Sequence, residues 1–331
     1  MIAYCAFAFV AALLSCEAVR RFAMRRALLD KPNERSLHQT PTPRLGGVAI
    51  ICGVVLGAAP LVLGAGLEVR VLLGGGLLIA VLGLVDDIKP LRASLRFVLQ
   101  IAGAALLLWA IGLPKLDVLP GVALNAPAWV VAIVLTIWIV GVLNIYNFMD
   151  GMDGLAGTQA VVTSAAHAVI FDRAGQSDLS SVAAILGASS SGFLAQNFPP
   201  ARIFMGDAGS TFVGFVFAGL GVIGMHHGVS LLALALPLSP FLLDGTFTIL
   251  RRASRKEAVW RAHRTHLYQR AVQTGLAHRE VLLVYAGWMA IVLGVSAFGG
   301  SAALVYGGWA VSVLVLLGVW RWVVGRETGA V

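Results

Sequence analysis

Long apolar segments separated by short polar loops dominate the hydrophobic pattern of this chain. A helix of roughly 20 apolar residues crosses a hydrocarbon layer about 30 Å thick, and eleven segments approach that length. They cover residues 2–19, 45–63, 70–85, 97–112, 128–145, 158–171, 179–195, 209–225, 230–249, 280–297 and 302–322. The shortness of 158–171 favours a tilted or broken helix there, and ten spans is the alternative count. The pattern predicts an all-α integral membrane protein with one polytopic domain over residues 1–331.

Basic side chains are distributed unevenly between the two sets of alternating loops. Of the 24 Lys and Arg residues, Arg70, Lys115 and Arg173 fall on one side, and the remaining 21 fall on the side of segments 20–44 and 250–279. Loops rich in Lys and Arg stay in the cytoplasm. The distribution therefore predicts an outside N-terminus, a cytoplasmic C-terminus and five cytoplasmic loops, which also hold the dense polar motifs.

Composition excludes other classes of protein. The chain is 59% hydrophobic and 12% charged, with a mean hydropathy of +0.88, whereas soluble domains have about 25% charged residues. Because so few charges cannot coat a globule, a soluble enzyme, a disordered chain and a nucleic-acid binder are excluded.

Two adjacent carboxylates, Asp86 and Asp87, directly follow the third apolar segment. Adjacent acids at the end of a membrane helix repel each other and lose hydration unless a cation or a proton offsets the repulsion. Carboxylate oxygens are the ligands that Mg²⁺ prefers. The alternative is a solvated acid pair flanked by the basic residues Lys89, Arg92 and Arg96.

Four polar residues, Asn144, Asn147, Asp150 and Asp153, recur every three positions after the fifth apolar segment. On a helix, neighbours in such a series share a face, and the glycines that follow permit a break or a close backbone approach. Two amides and two carboxylates predict a cradle for a nucleotide or phosphate. Since the stretch lacks Lys and Arg, its acids also indicate a bound cation. The alternative is a Gly-rich loop with helix caps.

The sequence Gly206-Asp207-Ala-Gly209-Ser210 precedes another apolar segment. Asp207 either caps that helix, whose N-terminal amides then face an anion, or binds a metal ion. Asp244 is different, because it lies inside the apolar segment 230–249. An acid at membrane depth marks a functional site or pairs with a neighbouring Arg.

Two basic loops offer donors to phosphate. The loop 250–279 carries His263, Arg264, His266 and Arg270, whose guanidinium and imidazole groups suit phosphate binding or proton transfer. The first loop adds four further candidates, which are Lys31, Arg35, His38 and Arg44. For both loops the alternative is a cytoplasmic segment that binds anionic lipid headgroups.

With these motifs in this order, the chain resembles the polyprenyl-phosphate N-acetylhexosamine-1-phosphate transferases of glycosyltransferase family 4. These integral membrane enzymes include phospho-N-acetylmuramoyl-pentapeptide transferase and the transferases that start O-antigen chains. The resemblance runs from Pro-Thr-Pro43-Arg-Leu-Gly-Gly47 to the loop at 263–270. It implies transfer of an N-acetylated sugar 1-phosphate from a UDP-sugar to undecaprenyl phosphate, with release of UMP. It also implies a requirement for Mg²⁺, with Mn²⁺ as the substitute.

The motifs and the resemblance together assign roles to individual residues. The catalytic candidates are Asp86, Asp87, His263 and His266. The substrate-binding candidates are Arg44, Asn144, Asn147, Asp150, Asp153, Arg264 and Arg270. The metal-binding candidates are Asp150 and Asp207.

The histidine element separates the branches of this family. The pentapeptide-transferring branch has a run of adjacent histidines, whereas residues 263–266 read His-Arg-Thr-His. This difference weakens the muramoyl-pentapeptide reading, which stays as the alternative. The stretches Asn33-Glu-Arg35-Ser-Leu-His38 and Pro-Thr-Pro-Arg look more like the branch that initiates O-antigen or exopolysaccharide, which we therefore expect. The resemblance further implies a bacterial inner-membrane protein with a cytoplasmic active site, and it admits a homodimer. No residue decides which N-acetylated sugar is used.

The expected reaction is a single displacement, in which Asp86 or Asp87 keeps the lipid phosphate deprotonated. A covalent aspartyl intermediate is the alternative from the same residues. From a different class, a secondary transporter or flippase is also consistent with many spans. Transporters usually show internal repeats and broken helices at mid-membrane, whereas this chain has no clear repeat and its acids cluster on one side.

Overall fold

The structure is a computed structural model that describes residues 1–30, 32, 37, 40–258, 263–298 and 301–329. Within these residues helices predominate, and the remaining strands are short. The helices are α1 (Ile2–Arg25), α2 (Gly47–Gly64), α3 (Leu67–Ile88), α4 (Ala93–Ile111), α5 (Ala128–Phe148), α6 (Leu155–Arg173), α7 (Ser177–Asn197), α8 (Gly206–His226), α9 (Leu231–Ala235), α10 (Ser239–Ser254), α11 (Leu267–Gln273), α12 (His278–Phe298) and α13 (Ala302–Glu327). The strands are β1 (Leu29–Asp30), β2 (Thr42–Pro43), β3 (Leu116–Leu119) and β4 (Val122–Leu124).

Ten helical segments in the described part of the chain are long and apolar enough to cross a membrane. They are α1 to α5, α7, α8, the joined segment Leu231–Ser254, α12 and α13. The prediction of an all-α, multi-pass integral membrane protein is therefore confirmed, and ten is the smaller of the two predicted counts.

The predicted span 158–171 is helix α6, which is not among these ten. Of the two expectations for this segment, a tilted or a broken helix, the broken helix is wrong, because α6 is continuous over 19 residues. Its apolarity is low because it carries polar residues such as Gln159 and His167, which are at most 1% exposed. These side chains pack against other helices instead of lipid, so α6 needs no long apolar surface.

The interruption lies instead between Leu231 and Ser254, where α9 passes through a 3₁₀ turn into α10. A break in a helix frees backbone carbonyls, which are costly to leave unpaired within a membrane. Gln159 donates to the carbonyl of Pro237 at 2.8 Å. The ring of His167 bonds the carbonyl of Leu234 at 2.7 Å. The polar residues of α6 therefore satisfy the carbonyls at this break.

Helix α8 forms the centre of the bundle, and every residue from Ala208 to Met225 is buried. Glycines let other helices approach its first turn. A Cβ added at Gly47 of α2 would lie 2.1 Å from the Cα of Gly209, and a Cβ at Gly83 of α3 would lie 2.7 Å from the Cα of Ala208. This close packing brings the end of α3 and the start of α2 against the residues that begin α8.

The first loop is also fixed to the start of α8. Strands β1 and β2 pair antiparallel, and the backbone N–H of Phe204 donates to the carbonyl of Pro43 at 2.8 Å. The N–H of Gly46 donates back to the carbonyl of Phe204 at 2.8 Å. These bonds place Arg44 beside the start of α8. The other candidates of this loop, Lys31, Arg35 and His38, lie outside the described residues.

Candidate active site

A cavity of about 350 Å³ opens where α3 and α5 end and α8 begins. We call it the acidic cavity. It is lined by Asp30, Leu37, Arg44, Asp87, Asn147, Asp150, Gly151, Met152, Asp153, Asn197, Phe204, Gly206, Asp207, His263, Gln269 and His278. A larger cavity of about 410 Å³ lies near Arg173 at the opposite end of α6. Its lining includes none of the predicted site residues, so the acidic cavity is the candidate site.

Asp87 holds the start of α8 in place. Its two carboxylate oxygens accept the backbone N–H groups of Asp207 and Ala208, each at 3.0 Å. The first N–H groups of a helix have no partner within the helix. An acid from α3 therefore caps α8, and this cap fixes Asp207 at the cavity.

Arg96 joins the other member of the acid pair to Asp207. Its Nη1 atom lies 2.5 Å from Oδ2 of Asp86 and 3.2 Å from Oδ2 of Asp207. The remaining oxygen of Asp86 accepts the N–H of Leu91 at 2.6 Å. The ends of α3 and α8 and the first turn of α4 thus meet through one guanidinium group.

Asn147 and Asp150 also line the acidic cavity, beside Asp207. Asn147 donates to Oδ1 of Asp207 at 3.0 Å and to Oγ of Ser210 at 2.8 Å. Burial, followed by the negative charges of Asp207 and Asp87, raises the pKa of Asp150 well above its usual range. The carboxyl of Asp150 is therefore held in a place where negative charge is already concentrated.

Asp153 lines the cavity and also connects three segments. Its Oδ2 accepts the N–H of Ala201 at 2.9 Å, and its Oδ1 lies 3.2 Å from Nδ1 of His278 at the start of α12. The predicted face of four polar residues is not formed, because α5 ends at Phe148. Asp150 and Asp153 lie in the loop that follows.

Arg44 reaches the cavity from the first loop, and its positive charge faces Asp87. Its Nε atom is buried and has no hydrogen-bond partner in the part of the chain that the structure describes. A buried donor without a partner is costly. The guanidinium of Arg44 is therefore suited to an anionic ligand in the cavity.

The two histidines have different positions. His263 lines the cavity, and burial together with the charges of His266 and nearby arginines lowers its pKa to about 4. His266 lies behind it, 1% exposed, with ring centroids 4.9 Å apart. Nδ1 of His266 lies 3.6 Å from Oδ1 of Asp244. His266 therefore supports the wall of the cavity and does not line it.

Among the described residues, Asp244 makes no ion pair with an Arg, which was one reading of its place in an apolar segment. It accepts the backbone N–H groups of Leu267 and Tyr268 at 2.9 and 3.4 Å, and the hydroxyl of Tyr285 at 2.6 Å. Like Asp87, this buried acid caps a helix from outside, in this case α11.

Three predicted substrate-binding residues lie away from the cavity. Asn144 donates to Gln100 of α4 at 2.8 Å, since it lies one turn deeper in α5 than Asn147. Arg264 is exposed. Arg270 forms an ion pair with Glu327 of α13. The structure therefore gives these three residues packing and surface contacts instead of a position on the cavity.

Several cavity residues were not among the predicted candidates. Asn197, Gln269 and His278 line the cavity, and Arg96 joins Asp207 of the cavity to Asp86 beside it. The sequence signal for Arg96 and His278 is the same as for Asp86, namely an ionisable residue at the end of an apolar segment. Asn197 and Gln269 carry no such signal, since amides are common at helix ends.

The donor atoms of this cavity fit a hard divalent cation. Carboxylate and amide oxygens surround it, and aspartates outnumber its basic side chains. In the described residues, no three His, Cys, Asp or Glu side chains are already grouped as one metal site. Hydrogen-bond donors hold several of the carboxylate oxygens, so a cation would have to displace a donor.

The comparisons with known proteins show the family of this chain. Residues 69–225 match the family model described as glycosyl transferase family 4. Over 98% of its length the chain is 31% identical to a Bacillus subtilis protein, of which 92% is covered. That protein is named "Probable undecaprenyl-phosphate N-acetylglucosaminyl 1-phosphate transferase". A decaprenyl-phosphate N-acetylglucosaminephosphotransferase of Mycobacterium tuberculosis is 31% identical over 87% of this chain and 78% of its own.

The fold and these relatives define a multi-pass membrane transferase, and its candidate site is an acidic cavity. The chain belongs to glycosyltransferase family 4, the family of polyprenyl-phosphate sugar-1-phosphate transferases, and the resemblance is confirmed. A phospho-N-acetylmuramoyl-pentapeptide-transferase of Levilactobacillus brevis is 29% identical over 51% of this chain and 52% of its own. The muramoyl-pentapeptide alternative is therefore not favoured.

Proposed function

We propose that this protein transfers N-acetylglucosamine 1-phosphate from its UDP derivative to undecaprenyl phosphate, with release of UMP. The relatives that cover most of this chain have names that specify N-acetylglucosamine and a polyprenyl phosphate. The observation that carries the proposal is the convergence of Asp87, Asp150 and Asp207 with Arg44 on one cavity. Acids that hold a cation and an arginine that holds phosphate are the groups needed for two anionic substrates.

We propose a cytoplasmic position for the cavity, in the inner membrane of a bacterium. The cavity lies at the end of the bundle that carries segments 20–44 and 250–279, where Lys and Arg are concentrated. Loops with that composition stay in the cytoplasm. UDP-sugars are cytoplasmic, so this orientation matches the substrate. The homodimer that the resemblance admits stays a prediction.

For the metal we propose Mg²⁺, with Mn²⁺ as a substitute, held by Asp207 and Asp150. When bound there, the ion offsets the charge of the diphosphate and stabilises the departing UMP. The raised pKa of Asp150, caused by burial and by the neighbouring acids, supports this assignment because a cation relieves that repulsion.

Within the acid pair, we propose that Asp87 accepts the proton of the lipid phosphate. Asp87 lines the cavity, whereas Asp86 is turned toward Arg96 and Leu91. Each oxygen of Asp87 accepts one N–H and keeps a second lone pair. An oxygen of the lipid phosphate then attacks the phosphorus that carries the sugar. The bond from that phosphorus to UMP breaks.

Two further residues of the chain handle the diphosphate in this proposal. Arg44 offers its unpartnered Nε donor to a phosphate oxygen. The imidazole of His263 is neutral at cytoplasmic pH, since its pKa is lowered to about 4. It therefore hydrogen-bonds the ligand without adding a charge.

The test is UMP release by purified protein supplied with undecaprenyl phosphate and a panel of UDP-N-acetyl sugars. We expect release with UDP-GlcNAc, loss of release in Asp207→Asn, and normal release in Asp172→Asn, whose exposed carboxyl lies near the opposite end of α6. A transporter would release no UMP. Metal-dependent turnover in Asp207→Asn would overturn the metal assignment. Radiolabelled phospho-sugar on the protein without lipid would favour the covalent alternative.

A further inference from the structure

One guanidinium nitrogen holds two carboxylates of the site together. Nη1 of Arg96 lies 2.5 Å from Oδ2 of Asp86 and 3.2 Å from Oδ2 of Asp207. The three residues come from α4, α3 and α8, and Arg96 is separated from Asp207 by 111 positions in sequence. Arg96 therefore acts as a positive charge between two acids that would otherwise repel each other.

The two oxygens held by Arg96 differ from the other oxygens of these acids. Both oxygens of Asp87 accept backbone N–H groups of α8. Oδ1 of Asp86 accepts the N–H of Leu91, and Oδ1 of Asp207 accepts Asn147. The Oδ2 atoms of Asp86 and Asp207 are thus bound by a partly exposed arginine side chain instead of by backbone or amide.

A divalent cation at Asp207 and the guanidinium of Arg96 are both positively charged, so they repel each other when they bind the same carboxylate. Each therefore weakens the binding of the other to Asp207. The side chain of Arg96 is 37% exposed, whereas that of Asp86 is 9% exposed. The arginine therefore has open space into which it can move, and the carboxylate of Asp86 does not.

We propose that Arg96 is an internal counter-cation that competes with the divalent cation for Asp207. Its charge stabilises the carboxylates of Asp86 and Asp207 before the cation binds, and its side chain leaves Asp207 when the cation binds. The inference deepens the proposed function and rests on its metal site. It makes Arg96 a positioning residue that sets the affinity for the metal.

The first experiment measures Mn²⁺ binding to the purified full chain by electron paramagnetic resonance, without substrate. Arg96→Gln keeps a hydrogen-bond donor and removes the charge, and we expect Mn²⁺ to bind about tenfold tighter than in the wild type, or about 1.4 kcal/mol. Arg96→Lys keeps the charge and should stay near the wild-type affinity. Arg92→Gln removes a charge at the exposed residue just before α4, one turn from Arg96, and should also stay near it.

The second experiment uses the wild-type chain and needs no variant to fold. Phenylglyoxal modification of arginines is followed by peptide mass spectrometry with and without Mn²⁺. Release from Asp207 should speed modification of Arg96 severalfold and leave the rate at Arg92 unchanged.

The outcomes test the metal site and the competition by Arg96 separately. If Mn²⁺ binds the wild type and Arg96→Gln equally well, or if Mn²⁺ does not speed the modification of Arg96, the competition is overturned and the metal site remains. If the wild type binds no Mn²⁺, the metal site fails and the competition fails with it. The measurement of UMP release tests the proposed reaction independently of both.

Discussion

The carboxylate of Asp87 accepts the backbone N–H of Asp207 at 3.0 Å, across 120 positions of sequence. Helix caps are usually supplied by the residue that precedes the helix. Here the cap comes from the end of α3, and it acts on the first turn of the most buried helix of the bundle. Asp87 therefore has a structural role, since it sets the position of Asp207 relative to the cavity.

Replacing Asp87 tests this structural role. Asp87→Asn offers one oxygen and one NH₂ group to two N–H donors, so one N–H of α8 loses its acceptor. An unsatisfied buried donor costs about 1–3 kcal/mol, and we expect a lower unfolding temperature together with reduced UMP release. Thermal unfolding in detergent measures the first effect. Asp172→Asn is the control, and an unchanged melting curve for Asp87→Asn would contradict the cap.

Gly206 offers a second test of the same contact. Its φ is +76°, and a Cβ there would lie 2.8 Å from Oδ2 of Asp87. Gly228 has a similar φ of +74° with nothing within 4 Å of an added Cβ. Both alanine variants carry the cost of positive φ, about 1 kcal/mol. We expect Gly206→Ala to lose more stability and activity than Gly228→Ala, and equal losses would exclude a steric effect.

Asp244 provides a prediction about the second external cap. It is completely buried and accepts the hydroxyl of Tyr285 at 2.6 Å along with two N–H groups of α11. Tyr285→Phe should cost about 1 kcal/mol, and Asp244→Asn about 1–3 kcal/mol because a donor loses its acceptor. Tyr306→Phe is the control, because the hydroxyl of Tyr306 is exposed and makes a bond of 3.4 Å. Similar melting temperatures for all three variants would contradict the prediction.

The raised pKa of Asp150 predicts that metal binding depends on pH. Burial and the charges of Asp207 and Asp87 raise this pKa, so the carboxyl keeps its proton to a higher pH than a free aspartate does. A cation must displace that proton. Lowering the pH should therefore weaken Mn²⁺ binding, and calorimetry in two buffers of different ionisation enthalpy should show proton release. Asp150→Asn should weaken binding and reduce this proton release. Wild-type affinity that stays constant as the pH falls would count against Asp150 as a ligand.

Much of the architecture follows from the sequence because a membrane imposes strong constraints. Long apolar segments must be helical, and most charges lie at their ends, although Asp244 lies inside one. This places Asp86, Asp87 and Asp207 at one end of the bundle before any contact is known. Segment 158–171 is the exception. Its polar residues made it look like a weak span, whereas they bind the carbonyls of a break in another helix.

Which side chains face the cavity could not be derived from the sequence. A helix that is apolar on all sides gives no direction, so Asn144 and Asn147 look equivalent in sequence, and only the packing of α4 and α8 separates them. The same holds for the two histidines. Asp244 draws the start of α11 inward, which leaves His263 on the cavity and His266 behind it.

The amino-acid sequence by itself determined the membrane fold, the spans, the clustering of acids at one end and the family. These features depend on composition and on order along the chain. Only the tertiary structure decided that Asp87 caps α8, that Arg96 holds Asp86 and Asp207, and that Arg270 binds Glu327 instead of a ligand. Those contacts join residues that are far apart in sequence and lie on different helices, so they depend on how the helices pack. For Asp87, that packing includes the close approach of α3 to α8 at Gly83.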